Sequence, residues 1–104
     1  MLNLKVPPEK AILQINERIE DIKTIRENQH GLEYYDVVGW CSKTWSVIDG
    51  IYGSDDPHPE EIRSIALSNC SCDSHMAALI LVEAYHSRLL DYINEIRTSM
   101  MTRE

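Results

Sequence analysis

Apolar side chains recur along most of the chain at steps of three and four, the spacing that gathers them on one face of an α-helix. Ile12, Ile15, Ile19 and Ile22 form the first such row, with Ile25 just off it. Pro7 and Pro8 suit a first helical turn, Glu9 suits its positive end, and Asn28, Gln29, His30 and Gly31 read as a stop. The pattern predicts a helix over residues 8–29 behind an extended arm over residues 1–7. The next stretch, 34–53, carries two adjacent stripes: Tyr35, Val38, Trp45, Ile48 and Tyr52, then Val37, Trp40, Thr44, Val47 and Ile51. A helix at the edge of a domain needs one apolar stripe, so two mean that neighbours pack on more than one side. Gly53 fits the left-handed residue that follows a helix end. Gly39, inside the run, is expected to admit close approach of another helix. Trp45 is expected in the core, and Trp40 either in the core or at an interface.

A turn-rich SDDPHP segment follows, and Pro59 is expected to open a third helix of about ten residues, with Glu60 and Glu61 at its favourable end. Ile62, Ile65 and Ala66 give it a short apolar edge before residues 68–73 break it. Asp73 or Ser74 caps the last helix, over residues 74–100. There Leu79, Val82, His86, Leu89, Ile93, Ile96 and Met100 make a heptad-like seam, and Met76, Ala77, Ile80, Leu81, Tyr85, Leu90 and Tyr92 widen it. The reading is an all-α, four-helix bundle of three long helices and one short, one domain over residues 1–104 with a frayed tail at 101–104. So much apolar surface exceeds what one hairpin can cover. Either the last helix lies deep in the bundle or its end pairs with another subunit. The surplus positions Trp40, Tyr85, Leu89, Tyr92, Ile93 and Ile96 are the expected interface, with a second copy of the chain or with a protein partner, and the bundle is expected to be oligomeric.

Charge and composition narrow the partners. The chain of 104 residues carries a net charge of −7, against the clustered Lys and Arg that a nucleic-acid backbone footprint needs. The longest apolar run, residues 76–82, falls far short of the roughly 20 residues that span a bilayer. The first ten residues lack the long apolar core of a signal peptide. Three cysteines, an odd number without a scaffold pattern, argue for a reducing compartment, and the chain is expected to be cytoplasmic.

Two constellations could carry chemistry. Glu17 with Glu20, and Glu33 with Asp36, are carboxylate pairs at helical spacing on consecutive helices. Four oxygen donors of this kind suit Mg²⁺. Cys70, Cys72 and His75 offer three zinc-type donors, with Cys41, His58 or His86 as a fourth, but no second clear pair accompanies them. The bland reading, free cysteines at a turn beside an incidental histidine, is preferred. His86 on the seam is either a satisfied core histidine or a pH-sensitive contact to a partner helix. No nucleophile elbow or glycine-rich phosphate loop is present. The expectation is an interaction module without a catalytic site or cofactor, and the alternative is an Mg²⁺-dependent nucleotide hydrolase or a nucleotide-binding protein.

Two resemblances sharpen these expectations. Trp40, Thr44, Val47, Ile48, Ile51, Tyr52, Gly53, Asp55 and Asp56, then Ile62, resemble the pattern of small α-helical modules of prokaryotic abortive-infection and Toll/interleukin-receptor-like defence proteins. The closing segment ILVEAYHSRLLDYINEI looks like the last helix of such modules. The resemblance implies an interaction or oligomerisation part in phage defence or counter-defence. The paired carboxylates are similar to the E-x-x-E…E-x-x-D signature of MazG-like all-α nucleotide pyrophosphohydrolases. That resemblance implies that Mg²⁺, held by Glu17, Glu20, Glu33 and Asp36, positions a water against a diphosphate.

Overall fold

The computed structural model describes residues 4–26, 34–53, 55–65 and 74–101. They form four helices, α1 (Pro8–Arg26), α2 (Tyr34–Tyr52), α3 (Pro57–Arg63) and α4 (Ser74–Met101), and no strand appears among them. The chain is an all-α bundle of three long helices and one short, as the pattern predicts.

Pairs of contacts fix the helix directions. Lys5 N–H donates to the Ile51 carbonyl at 2.7 Å, and the Trp40 indole N–H donates to the Arg18 carbonyl at 2.7 Å. Rising numbers on one side meet falling numbers on the other, so α1 and α2 are antiparallel. Trp45 meets Tyr85, and Tyr52 meets Tyr92, so α2 and α4 run parallel. The link between them is α3, which runs back along both: His58 reaches Glu95 at its start, and Glu61 reaches Arg88 a turn later. The four helices therefore alternate up and down.

The core is built mainly from one side of each long helix. Ala11, Ile15, Ile19 and Ile22 supply α1, Val37, Trp40, Cys41, Ile48, Ile51 and Tyr52 supply α2, and a row from Ala78 through Tyr85 to Ile96 supplies α4. Each fully buried Ile or Leu contributes about 1.5–3 kcal/mol relative to exposure. Thr44 is wholly buried, and its hydroxyl donates to the Trp40 carbonyl one turn back at 2.8 Å. In the arm, Leu4 and Val6 lie half-buried against this core.

Several boundaries and faces differ from the pattern-based expectation. Helix α3 starts at Pro57, not Pro59, and is 7 residues long rather than ten. The cause is Asp56, whose carboxylate accepts the His58 backbone N–H at 2.9 Å and caps the helix two residues early, with Pro57 at its first position. The Ser64 N–H donates to the Glu60 carbonyl at 3.0 Å and the Ile65 N–H to the Ile62 carbonyl at 3.3 Å, closing the last turn. Expected residues 27–29 of α1 and the segment 66–73 lie outside the described residues. On α4 the core row passes through Tyr85, and His86 is only half-buried beside it. On α2 the first stripe is buried only at its C-terminal half, and Tyr35 and Val38 are exposed. Trp45 is half-buried, and Trp40 is the indole that enters the core.

The glycines within α2 and just after it separate into two kinds. At Gly39 and Gly50 an added Cβ would meet nothing within 4 Å, so neither admits a neighbouring helix. Gly53 has φ of 86°, donates to the Asp49 carbonyl at 2.8 Å, and lies under the Lys5 side chain. Gly50→Ala is therefore expected to stabilise the chain by about 0.5–1 kcal/mol. Gly53→Ala is expected to destabilise it by about 1–2 kcal/mol, mostly through the left-handed backbone, because Lys5 can move aside. Urea denaturation midpoints at constant slope check both signs.

Candidate interaction surface

At 3.6 residues per turn, Met76, Ile80, Glu83, Ser87, Leu90, Asn94 and Met101 fall within about 40° of one line along α4. That line lies opposite the row that enters the core, and all seven residues are exposed. The four apolar ones are 45%, 40%, 44% and 83% exposed for Met76, Ile80, Leu90 and Met101. The outer line of α4 is therefore mixed, its four apolar residues alternating with Glu83, Ser87 and Asn94, whereas the opposite row is buried in the core. With 28 residues, α4 outruns the 19-residue α1 and α2, and presents this line over about 40 Å.

The six positions expected to face a partner lie elsewhere. Trp40 is 3% exposed, and Tyr85, Leu89, Tyr92, Ile93 and Ile96 are likewise buried inside the single chain. The expectation is corrected for a physical reason: α4 packs against both α1 and α2, so the bulky side chains that looked surplus are covered within the chain. Trp40 and Tyr85 meet edge to face with ring centroids 5.6 Å apart, and the Trp45 N–H donates to the Tyr85 hydroxyl at 2.7 Å.

The carboxylate pairs are not drawn together among the described residues. Glu17 and Glu20 line a groove of about 400 Å³ on the outside of α1, and Glu20 pairs with Lys23 at 3.2 Å. Asp36 lines a separate groove of about 510 Å³ between α1 and α2, with Arg18, Asp21, Trp40 and Lys43. Glu33 lies outside the described residues, as do Cys70 and Cys72 and the side chain of His75. Among the described residues no three His, Cys, Asp or Glu side chains gather as metal ligands would. Cys41 is a buried free thiol whose pKa burial pushes up to about 11, the Tyr85 hydroxyl only partly offsetting this. It is held in the neutral form that binds metal poorly. Arg18, between the two grooves, pairs through one nitrogen with Asp21, and its Nε and Nη1 are buried without a partner.

One constellation escaped the sequence reading. His58 stacks on Tyr52 with ring centroids 4.1 Å apart and meets the edge of Tyr92 at 5.0 Å. Its Nδ1 lies against the Asp56 carboxylate and its Nε2 lies 2.8 Å from Glu95 Oε2. A ring that meets a carboxylate at each nitrogen donates from both, which only the imidazolium can do. The Tyr92 hydroxyl lies 2.8 Å from Glu61 Oε1 and 3.1 Å from the His58 carbonyl oxygen, and offers its one proton to these acceptors. The N-cap of α3 is thereby tied to both α2 and α4. The available signal was the D-P-H spacing, an N-cap whose second helical residue is a histidine; its partner Glu95 is too distant in sequence to be read.

Burial works against the charge on His58, but the hydrogen bonds and negative charges of Asp56 and Glu95 outweigh it and raise the pKa above 6.5. Burial likewise works against Asp56, and the His58 backbone N–H and ring outweigh it, lowering the pKa below 3.8. The Tyr52 and Tyr92 hydroxyls, both raised first by burial and then by the surrounding carboxylates, stay neutral. The contribution of His58 is thus complete below its ordinary value of 6.5 and is lost as pH rises through its higher folded value. Thermal unfolding followed from near that ordinary value into clearly alkaline buffer should show Tm falling. His58→Gln should flatten that slope, and an equal slope in the variant would remove the clamp as its source.

Comparison with protein-family models, with curated proteins and with solved structures finds no match. Among the described residues no helix is long and apolar enough to cross a membrane.

Proposed function

We propose that this chain is a non-enzymatic helical interaction module that docks a partner helix along the outer line of α4. The observation that carries the reading is the exposed set Met76, Ile80, Leu90 and Met101 on one side of a helix whose other side is already buried. Helix-on-helix docking uses anchors that share one face of a helix; here they stand 4, 10 and 11 residues apart along that face, with Glu83, Ser87 and Asn94 between them. The separation of Glu17 and Glu20 from Asp36 favours docking over a diphosphate-cleaving metal centre. The proposed setting is the cytoplasm, on the cysteine usage, and prokaryotic phage defence or counter-defence, on the resemblance in residues 40–62.

The test replaces two line residues that the core does not use. Ile80→Asp with Leu90→Asp is expected to leave helix content and Tm close to wild type. It should weaken association about tenfold or more, whether with itself across a dilution series or with a protein that co-purifies with it. Undiminished association in a folded variant would contradict the proposal.

A further inference from the structure

Charges on and beside the outer line of α4 bear on which partner fits it. Glu83 and Arg97 stand seven residues before and seven residues after Leu90, on the same side of the line, and both are exposed. Seven residues are two helical turns, about 10 Å along the axis. We infer that the partner helix is α4 of a second copy of this chain, laid antiparallel about a two-fold axis at Leu90. The inference rests on the docking reading above and names its occupant.

In that arrangement Leu90 meets Leu90 of the partner subunit, and each Glu83 lies against the partner's Arg97. Ile80 lies toward the partner's Met101. A two-fold contact of this kind needs a surface that complements itself, and a line reading acid, leucine, base is self-complementary only when reversed. Pairing the two helices parallel and in register sets Glu83 against Glu83 and Arg97 against Arg97, and like charges opposed across a helix pair cost specificity and stability. The antiparallel choice also sets opposite ends of the two helix dipoles side by side. A heterologous partner would have to supply the reverse of the same pattern, which this chain already carries.

Charge exchange and crosslinking test orientation and partner together. Glu83→Arg alone and Arg97→Glu alone should each weaken self-association about tenfold in sedimentation equilibrium, and the double variant should recover most of the loss. In a chain with Cys70→Ser and Cys72→Ser, Leu90→Cys should form a disulfide-linked dimer on mild oxidation, and Met76→Cys should not. Dimer formation through Met76→Cys in preference to Leu90→Cys, or no recovery in the double charge variant, overturns the antiparallel pairing. A wild-type chain that stays monomeric at high concentration overturns the second copy as partner. The docking reading then survives only if Ile80→Asp with Leu90→Asp abolishes binding of a different, co-purifying protein. A dimer indifferent to every one of these substitutions removes both.

Discussion

Aromatic packing between α2 and α4 is the constraint on which the rest of the structure depends. Trp40, Trp45 and Tyr85 lock one end of the seam, and Tyr52, His58 and Tyr92 lock the other. Edge-to-face and stacked rings have preferred offsets, so they set register as well as burying area. Because the two contacts share one offset in sequence, they hold α2 and α4 parallel, and parallel neighbours require a return element between them. Helix α3 makes the first part of that return, from the level of Glu95 to that of Arg88. The Trp40 indole also reaches the Arg18 carbonyl, so the same residue seats α1.

The seam divides α4 into an inner and an outer face. Tyr85, Leu89, Tyr92, Ile93 and Ile96 lie inside the chain, and Met76, Ile80, Leu90 and Met101 stay exposed on α4, as do Leu13 on α1 and Tyr35 and Val38 on α2. A wholly apolar line would accept any greasy helix, whereas in the antiparallel pairing proposed above Glu83 and Arg97 would set a direction and a register. The chain carries a net charge of −7, and net charge of one sign opposes indiscriminate association of proteins.

The fold was legible in the sequence wherever periodicity was long. The isoleucine row of α1, the two-sided character of α2 and the span of α4 all followed from steps of three and four. What periodicity could not show was which of two adjacent rows faces inward. His86 and Tyr85 are neighbours, and only the ring–ring contacts across to α2 decide in favour of Tyr85. For the same reason Tyr85 and Tyr92 were assigned to a partner: a sequence shows that a surface is apolar, not that another part of the same chain covers it. The start of α3 was misplaced because two prolines compete for its first turn, and the carboxylate of Asp56 decides between them through the His58 N–H. The clamp around His58 was invisible because its ends, Asp56 and Glu95, come together only in three dimensions.

The central claim is that the indole and phenol side chains between α2 and α4 belong to the interior of one chain and not to an interface. Hydrogen exchange of the Trp40 indole N–H, followed by NMR down a dilution series, tests it most directly. That proton is bonded to the Arg18 carbonyl at 2.7 Å on a side chain only 3% exposed. The account predicts exchange at least about 100-fold slower than in a free indole, unchanged as the protein is diluted into the monomer. Exchange at the free-indole rate, or protection that vanishes on dilution, would contradict it.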